Sequence, residues 1–251
     1  MQEKELEKYE EIGNWDFSDI QYIVKQEGSW DFYKEIAKYS NKNSLLLDLG
    51  TGGGEKVLSL MPEAGMIIAT DFSSKMIETA NKNKENFPDK NIKFVMMDNL
   101  NMKFPNNLFD IVTARHTIID AVQIYDCLSN NGILILEGVD KFDCWGLKTL
   151  FNRGQAFNDK ISICQKDYED IKNAGFSKVH LEKIIQYEYY KTENDLLAVL
   201  LKTPILDDFS ELDVSSKNQI EKDLFDTYVS AHTTEKGIEL KRVLYGIIAQ
   251  K

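Results

Sequence analysis

Apolar residues along this chain fall into short, nearly continuous runs separated by stretches with helical spacing, and that alternation predicts β and α units in turn. Five runs read as strands: Leu45–Leu49, Met66–Thr70, Ile92–Met97, Phe109–Ala114 and Ile133–Glu137. Because they lack polar alternation, they predict a parallel sheet covered by helices on both faces. Ser73 and Ser74 stand where a helix N-cap belongs, ahead of the inward stripe Met76, Ile77 and Ala80, and Pro88 closes that segment. Asn130-Asn131-Gly132 reads as a turn into the fifth strand, and Asp167 as the cap of a helix over Tyr168–Ala174 that Gly175 stops. Further on, Val179–Tyr190 predicts a sixth strand and Val243–Ala249 a seventh. Between them, the apolar run Leu196–Leu201 and the break at Thr203-Pro204 predict a helical cap. The expected organisation is a single α/β domain over 1–251, with a helical N-terminal segment (1–43), a core (44–190), a cap insertion (191–240) and a last strand (241–251).

The first of these strands runs straight into Gly50-Thr51-Gly52-Gly53-Gly54. Glycine has no Cβ, so Gly50, Gly52 and Gly54 can take positive φ and admit a ligand against the backbone. A dinucleotide fingerprint would place its third glycine three positions after the second, where Glu55 stands and would repel a pyrophosphate at the helix end. A Walker loop would need Gly-Lys-Ser or Gly-Lys-Thr, which does not follow. These exclusions favour a nucleoside without phosphates and disfavour a nicotinamide-dependent oxidoreductase.

Motif by motif, the segment Leu47-Asp48-Leu49-Gly50-Thr51-Gly52-Gly53-Gly54 resembles motif I of the class I S-adenosylmethionine-dependent methyltransferases. Thr70-Asp71, Met97-Asp98-Asn99-Leu100, Phe109 to His116, and Leu128 to Leu134 match later motifs in the same order, so the resemblance covers about Leu45 to Glu137. It implies a Rossmann-like, seven-stranded, mostly parallel sheet with an antiparallel last strand, and S-adenosyl-L-methionine as cofactor. It also implies that Asp71 accepts the ribose hydroxyls, that Asp98, with Asn99 and Leu100, lies near the adenine amino group, and that Phe72 and Met76 flank the adenine ring. Asp48 suits two roles, holding the glycine turn through backbone N–H groups or touching the ligand. Asp71 and Asp98 also suit bland roles, as a charge at a helix N-terminus and as a turn cap.

The methyl acceptor is less legible. His116, following the fourth strand at the sheet's carboxyl edge, is the candidate base for an acceptor that must lose a proton, and Arg115 beside it suits an anionic group of cofactor or substrate. The loop there has neither the Asn-Pro-Pro-Tyr nor the Pro-Cys sequence of base-modifying enzymes. Net charge is −11 and no basic run appears, which disfavours nucleic acid. Aromatic residues gather at Tyr22, Trp30, Phe32 and Tyr33, and at Phe142, Trp145, Phe151 and Phe157, as pocket walls or as ordinary helix packing. Glu137, Asp140 and Asp143 invite comparison with metal-dependent catechol methyltransferases, but their short spacing alone does not make a cation site, so no metal is expected. Cys127, Cys144 and Cys164 have neither disulfide nor zinc spacing and read as buried thiols. With no signal peptide and no long apolar stretch, the chain is expected to be cytoplasmic and free of membrane, as a monomer or homodimer. A small-molecule methyltransferase is the leading expectation. An RNA or protein methyltransferase and a non-catalytic S-adenosylmethionine-binding protein are the alternatives.

Overall fold

The structure is a computed structural model that describes residues 19–207, 209 and 219–251. Five parallel strands form its centre: β2 (Leu45–Leu49), β3 (Met66–Asp71), β4 (Ile92–Met96), β5 (Phe109–Arg115) and β6 (Leu128–Val139). β7 (Lys178–Tyr190) and β9 (Gly237–Gln250) extend the sheet, β9 running antiparallel to both β6 and β7. With β1 (Tyr22–Glu27) at one edge, the order across the sheet is β1-β7-β9-β6-β5-β2-β3-β4. This is the mostly parallel, Rossmann-like arrangement with an antiparallel last strand.

Two strands exceed the seven expected. β1 (Tyr22–Glu27) pairs antiparallel with β7, so the described part of the N-terminal segment contains a strand as well as the short helix α1 (Phe32–Ala37). Its polar Lys25-Gln26-Glu27 end hides the apolar alternation that would have marked it, as befits an edge strand. β8 (Thr233–Thr234) is a two-residue partner of β9. The Asn130-Asn131-Gly132 turn is instead an irregularity inside β6, where the register against β5 shifts and Asn131 takes φ +65°.

Helices cover both faces. On one side α1, α2 (Glu55–Leu60) and α3 (Ser74–Lys84) pack Phe32, Ile36, Val57, Leu58 and Ala80 against Leu46, Ile67, Ile111 and Ile135. On the other, α4 (Ala121–Cys127) and α6 (Ile163–Asn173) pack Ile124 and Ile171 against Leu47, Val112, Leu134 and Ile247. Ser73 caps α3 as expected, its hydroxyl accepting from the Met76 N–H. The α6 cap is Ser162, not Asp167. Asp167 lies in mid-helix and accepts a hydrogen bond of 2.5 Å from the buried Tyr245 hydroxyl. The sequence between β7 and β9 forms α7 (Glu193–Lys202) and α8 (Gln219–His232). They pack with α5 (Trp145–Phe151) on Tyr190, Ile238 and Leu240. This is the helical cap, on the end of the sheet where β6 ends.

Candidate active site

The glycine loop sits at the carboxyl edge of the sheet with Gly50, Gly52 and Gly54 at φ +71°, +60° and +79°. Two bonds fasten it to β3: the Thr51 N–H donates to the Thr70 carbonyl at 2.8 Å, and the Gly52 N–H to Asp71 Oδ2 at 2.9 Å. The other oxygen of Asp71 accepts from the Ser73 N–H at 3.0 Å. Asp71 therefore ties two loops together and keeps a lone pair on each oxygen for a further donor. A Cβ on Gly50 would stand 2.6 Å from Thr117 Cβ, so the loop after β5 lies directly against the glycine turn. Thr117 in turn accepts a 3.0 Å bond from Asn99 Nδ2.

Asp48 is buried beneath this loop, and its partner is the Thr113 hydroxyl, which donates to Oδ1 at 2.7 Å. The turn-holding role is not seen: no backbone N–H of the turn reaches the Asp48 carboxylate among the described residues. Burial pushes its carboxyl up to about 6, against the pull of the Thr113 hydroxyl. Thr51 Oγ1 lies close enough to offset part of that burial, yet it is buried and without a hydrogen bond of acceptable geometry. Asn99 Oδ1 is a second buried acceptor without a partner. The Glu55 carboxylate lies against Gly53, where an added Cβ would stand 2.4 Å from Oε1, and accepts from Asn83 Nδ2 at 3.2 Å. Asp98 is exposed and caps its own turn through the Leu100 N–H at 2.9 Å, with Leu100 also exposed. Phe72 is half-buried beside Asp71, and Met76 is buried on α3.

Next to the loop, β5 ends in Arg115 and His116, the latter held at φ +54° and fixed by its N–H to the Glu137 carbonyl at 2.8 Å. The Glu137 side chain gathers three donors. Arg115 Nε reaches Oε1 at 2.8 Å, His116 Nε2 reaches the same oxygen at 3.3 Å, and the Trp30 indole N–H reaches Oε2 at 2.8 Å. Burial alone would raise the Glu137 carboxyl, but His116, Arg115 and Trp30 together hold it down to about 2. Desolvation and the Arg115 charge push the His116 imidazole below its ordinary value, against the pull of Glu137. A third of that side chain stays exposed, which keeps the desolvation partial.

Glu137 and Trp30 carry no motif: the sequence marks Glu137 only as one of three carboxylates after the fifth strand, and Trp30 only as one of an aromatic cluster. The packing reason is visible in β9, where a Cβ on Gly246 would stand 2.3 Å from the Trp30 ring. The three carboxylates considered for a metal diverge. Asp140 accepts from the Phe142 N–H and the Ser162 hydroxyl, and Asp143 accepts from Arg242 Nε and the Val243 N–H at 2.9 Å each. Arg242 Nη1 also reaches Glu188 Oε1 at 3.1 Å, and the buried Tyr190 hydroxyl donates to Glu188. Among the cysteines, Cys127 and Cys144 are buried and Cys164 is half-buried. A recess of about 850 Å³ opens at the opposite edge of the sheet, between Asn41, Asp110, Asn130 and Lys178, and touches none of the site residues. No helix among the described residues is long and apolar enough to cross a membrane.

Residues 40–153 match the sequence profile of a family described as a methyltransferase domain. The chain is 30% identical over 71 residues to an uncharacterized methyltransferase of Bacillus subtilis, YcgJ, a match spanning 28% of this chain and 28% of that protein. Among solved structures, a candidate methyltransferase from Bacillus halodurans superposes with a TM-score of 0.59 at 16% identity, over 88% of this chain and 98% of the other. A phosphoethanolamine N-methyltransferase from Haemonchus contortus, in complex with phosphomonomethylethanolamine and S-adenosylhomocysteine, superposes with a TM-score of 0.52 at 17% identity. That match covers 89% of this chain and 53% of the other. The structural likenesses establish the fold.

Proposed function

We propose, from the match of residues 40–153 to a methyltransferase-domain profile and from the Rossmann-like fold, that the chain transfers a methyl group from S-adenosyl-L-methionine to a small-molecule acceptor. The observation that carries the reading is the glycine turn tied by Gly52 to Asp71, with two buried acceptors, Thr51 Oγ1 and Asn99 Oδ1, left without partners around it. Buried polar atoms without partners are costly, and a nucleoside's hydroxyl and amino donors would satisfy them. In this role Gly50, Thr51, Gly52 and Gly54 receive the cofactor against the backbone, Asp71 accepts from its ribose, and Asn99 lies toward its base beside Phe72 and Met76. Asp98, Leu100 and Asp48 are assigned supporting places around the same ligand.

The cofactor supplies an electrophilic methyl on a sulfonium. The chain's work is to hold the acceptor in line and to exclude water. His116 follows directly on β5, and its neighbour Thr117 touches the glycine turn. With Glu137 ionised and facing Nε2, the imidazole carries its hydrogen on Nε2, which leaves Nδ1 to take a proton from a hydroxyl or ammonium acceptor. Glu137 positions the ring and Trp30 positions Glu137.

A small acceptor is supported by the net charge of −11, which repels polyanions, and by the helical cap over Tyr190 and Leu240. The test is S-adenosylhomocysteine release with S-adenosylmethionine and separate panels of small hydroxyl and amine compounds, RNAs and peptides. Turnover confined to the small-molecule panel is expected. Turnover on RNA or peptide alone, or none with any acceptor despite cofactor binding, would contradict the reading.

A further inference from the structure

One face of the sheet carries a line of polar groups across its carboxyl edge. Residues paired across neighbouring strands point to the same face, and along a strand every second residue returns to it. Asp48 pairs with Thr113 in β5, Arg115 with Glu137 in β6, and Glu137 with Gly246 in β9. Arg242 lies four residues before Gly246 on that face and pairs with Gln186 in β7, on the same side as Glu188 and Tyr190. Tyr190 pairs with Tyr22 in β1, whose ring stacks on it at 5.4 Å. The line therefore begins at the cofactor loop and ends at Tyr22.

Every carboxylate along it beyond Asp48 is engaged on both oxygens. Glu137 accepts from Arg115, His116 and Trp30, Asp143 from Arg242 and Val243, and Glu188 from Arg242 and Tyr190. The donors are not all engaged. Among the described residues Arg115 is bonded through Nε alone, which leaves the Nη1 and Nη2 edge open, and 36% of its side chain is exposed. Arg242 is clamped at Nε and Nη1, and among the described residues its Nη2 makes no hydrogen bond. The Tyr22 hydroxyl is likewise unbonded among them, on a residue 42% exposed. A guanidinium fixed on one side presents its remaining N–H groups in a set direction, the geometry that suits carboxylate and phosphate oxygens.

Arg115, Arg242 and the buried Lys148 near Asp143 offset Glu137, Asp143 and Glu188, and the remaining carboxylate of the line, Asp48, lies at its cofactor end. Arg115 shares Glu137 Oε1 with the candidate base His116, and Arg242 holds Glu188, whose other partner Tyr190 carries the Tyr22 ring, so bonded contacts tie one cation to His116 and the other to Tyr22 on the same face.

We propose that Arg115, Arg242 and Tyr22 form an anion-recognition subsite that holds a carboxylate or phosphate group of the methyl acceptor and presents its nucleophile to the cofactor. The assignment rests on the proposed function, since it takes the neighbouring loop as the cofactor site. It makes the acceptor an anionic small molecule, and it gives the clamps Asp143, Glu188 and Glu137 their purpose as positioning residues for the two arginines.

The probes are inorganic phosphate and acetate, titrated calorimetrically into protein saturated with S-adenosylhomocysteine, against chloride at equal ionic strength. Saturable binding of at least one of the two is expected, the tighter one naming the group. Arg115→Gln is expected to weaken it at least tenfold and Tyr22→Phe a few-fold, both with S-adenosylhomocysteine affinity retained. Arg242→Lys keeps the charge but not the fork and is expected to weaken anion binding with the melting transition still cooperative. Anion binding no better than chloride, anion binding untouched by Arg115→Gln, or an anion that displaces S-adenosylhomocysteine would each overturn the proposal, the last by giving the arginines to the cofactor's own carboxylate. If S-adenosylhomocysteine fails to bind, the proposed function falls, and the same titration on the unliganded protein still judges the subsite.

Discussion

Asp71 and Gly52 lie nineteen positions apart and are joined by a 2.9 Å hydrogen bond from the Gly52 N–H to Asp71 Oδ2. The acid at the end of β3 thus shapes the loop at the end of β2 before it meets any ligand. Removing it leaves the Gly52 and Ser73 N–H groups unpaired. Asp71→Ala is expected to cost about 1–3 kcal/mol of stability, read by denaturant titration, and Asp71→Asn about half as much or less. An alanine variant as stable as the parent would show that the bond holds nothing.

Gly50 combines a left-handed backbone with a neighbour only 2.6 Å from where its Cβ would stand. Gly50→Ala is therefore expected to destabilise by at least about 1 kcal/mol and to weaken S-adenosylhomocysteine binding. Adding Thr117→Gly should relieve the contact but not the backbone cost, and so restore only part of the loss. Full recovery in the double variant would locate the whole effect in sterics.

The loop was legible in the sequence because its signal is local: three glycines after an apolar strand, and acids at fixed places after later strands. The parallel core was legible for the same reason, since burial on both faces leaves uninterrupted apolar runs. The Glu137 cluster was not. Trp30, Arg115, His116 and Glu137 come from three separate stretches, and only the register of β5 on β6 and the packing of Trp30 over Gly246 bring them together. Asp167 shows the opposite failure, a plausible cap residue whose carboxylate is taken by Tyr245, 78 positions away. β1 has no clear signal in the sequence because, as an edge strand with Lys25-Gln26-Glu27 at its end, it need not alternate.

Glu137 and Asp48 carry opposite pH signatures. Glu137 titrates at about 2 in the fold against an ordinary 4.5, so its contribution is complete above 4.5 and is lost as pH falls towards 2. That contribution is on the order of 3 kcal/mol. Glu137→Gln should flatten the acid limb of a stability-versus-pH curve below 4.5. An unchanged acid limb would refute the account of its three donors.

Asp48 is raised to about 6 from 3.8, so between those values the folded state holds the proton more tightly and stability falls as pH rises. Asp48→Asn is expected to remove that fall and to raise the melting temperature at pH 7 by a few degrees relative to the parent. Chemical denaturation at pH 4 and pH 7 checks it, and an equal pH response in parent and variant would contradict it.

If His116 takes the acceptor's proton, His116→Gln should lower kcat about 10²-fold or more while leaving S-adenosylhomocysteine affinity within two- to threefold. Glu137→Gln should lower kcat less and move the acid limb of the kcat profile. Loss of cofactor affinity in His116→Gln, with kcat retained, would make the residue a binding group instead.

If the glycine turn and Asp71 form an adenosyl site, calorimetric titration with S-adenosylhomocysteine will register it. The parent protein should bind one equivalent with a dissociation constant in the micromolar range, about −8 kcal/mol, and Asp71→Ala should bind at least tenfold more weakly while remaining folded. No heat of binding from the folded parent up to millimolar ligand, or the same affinity in both proteins, would contradict it.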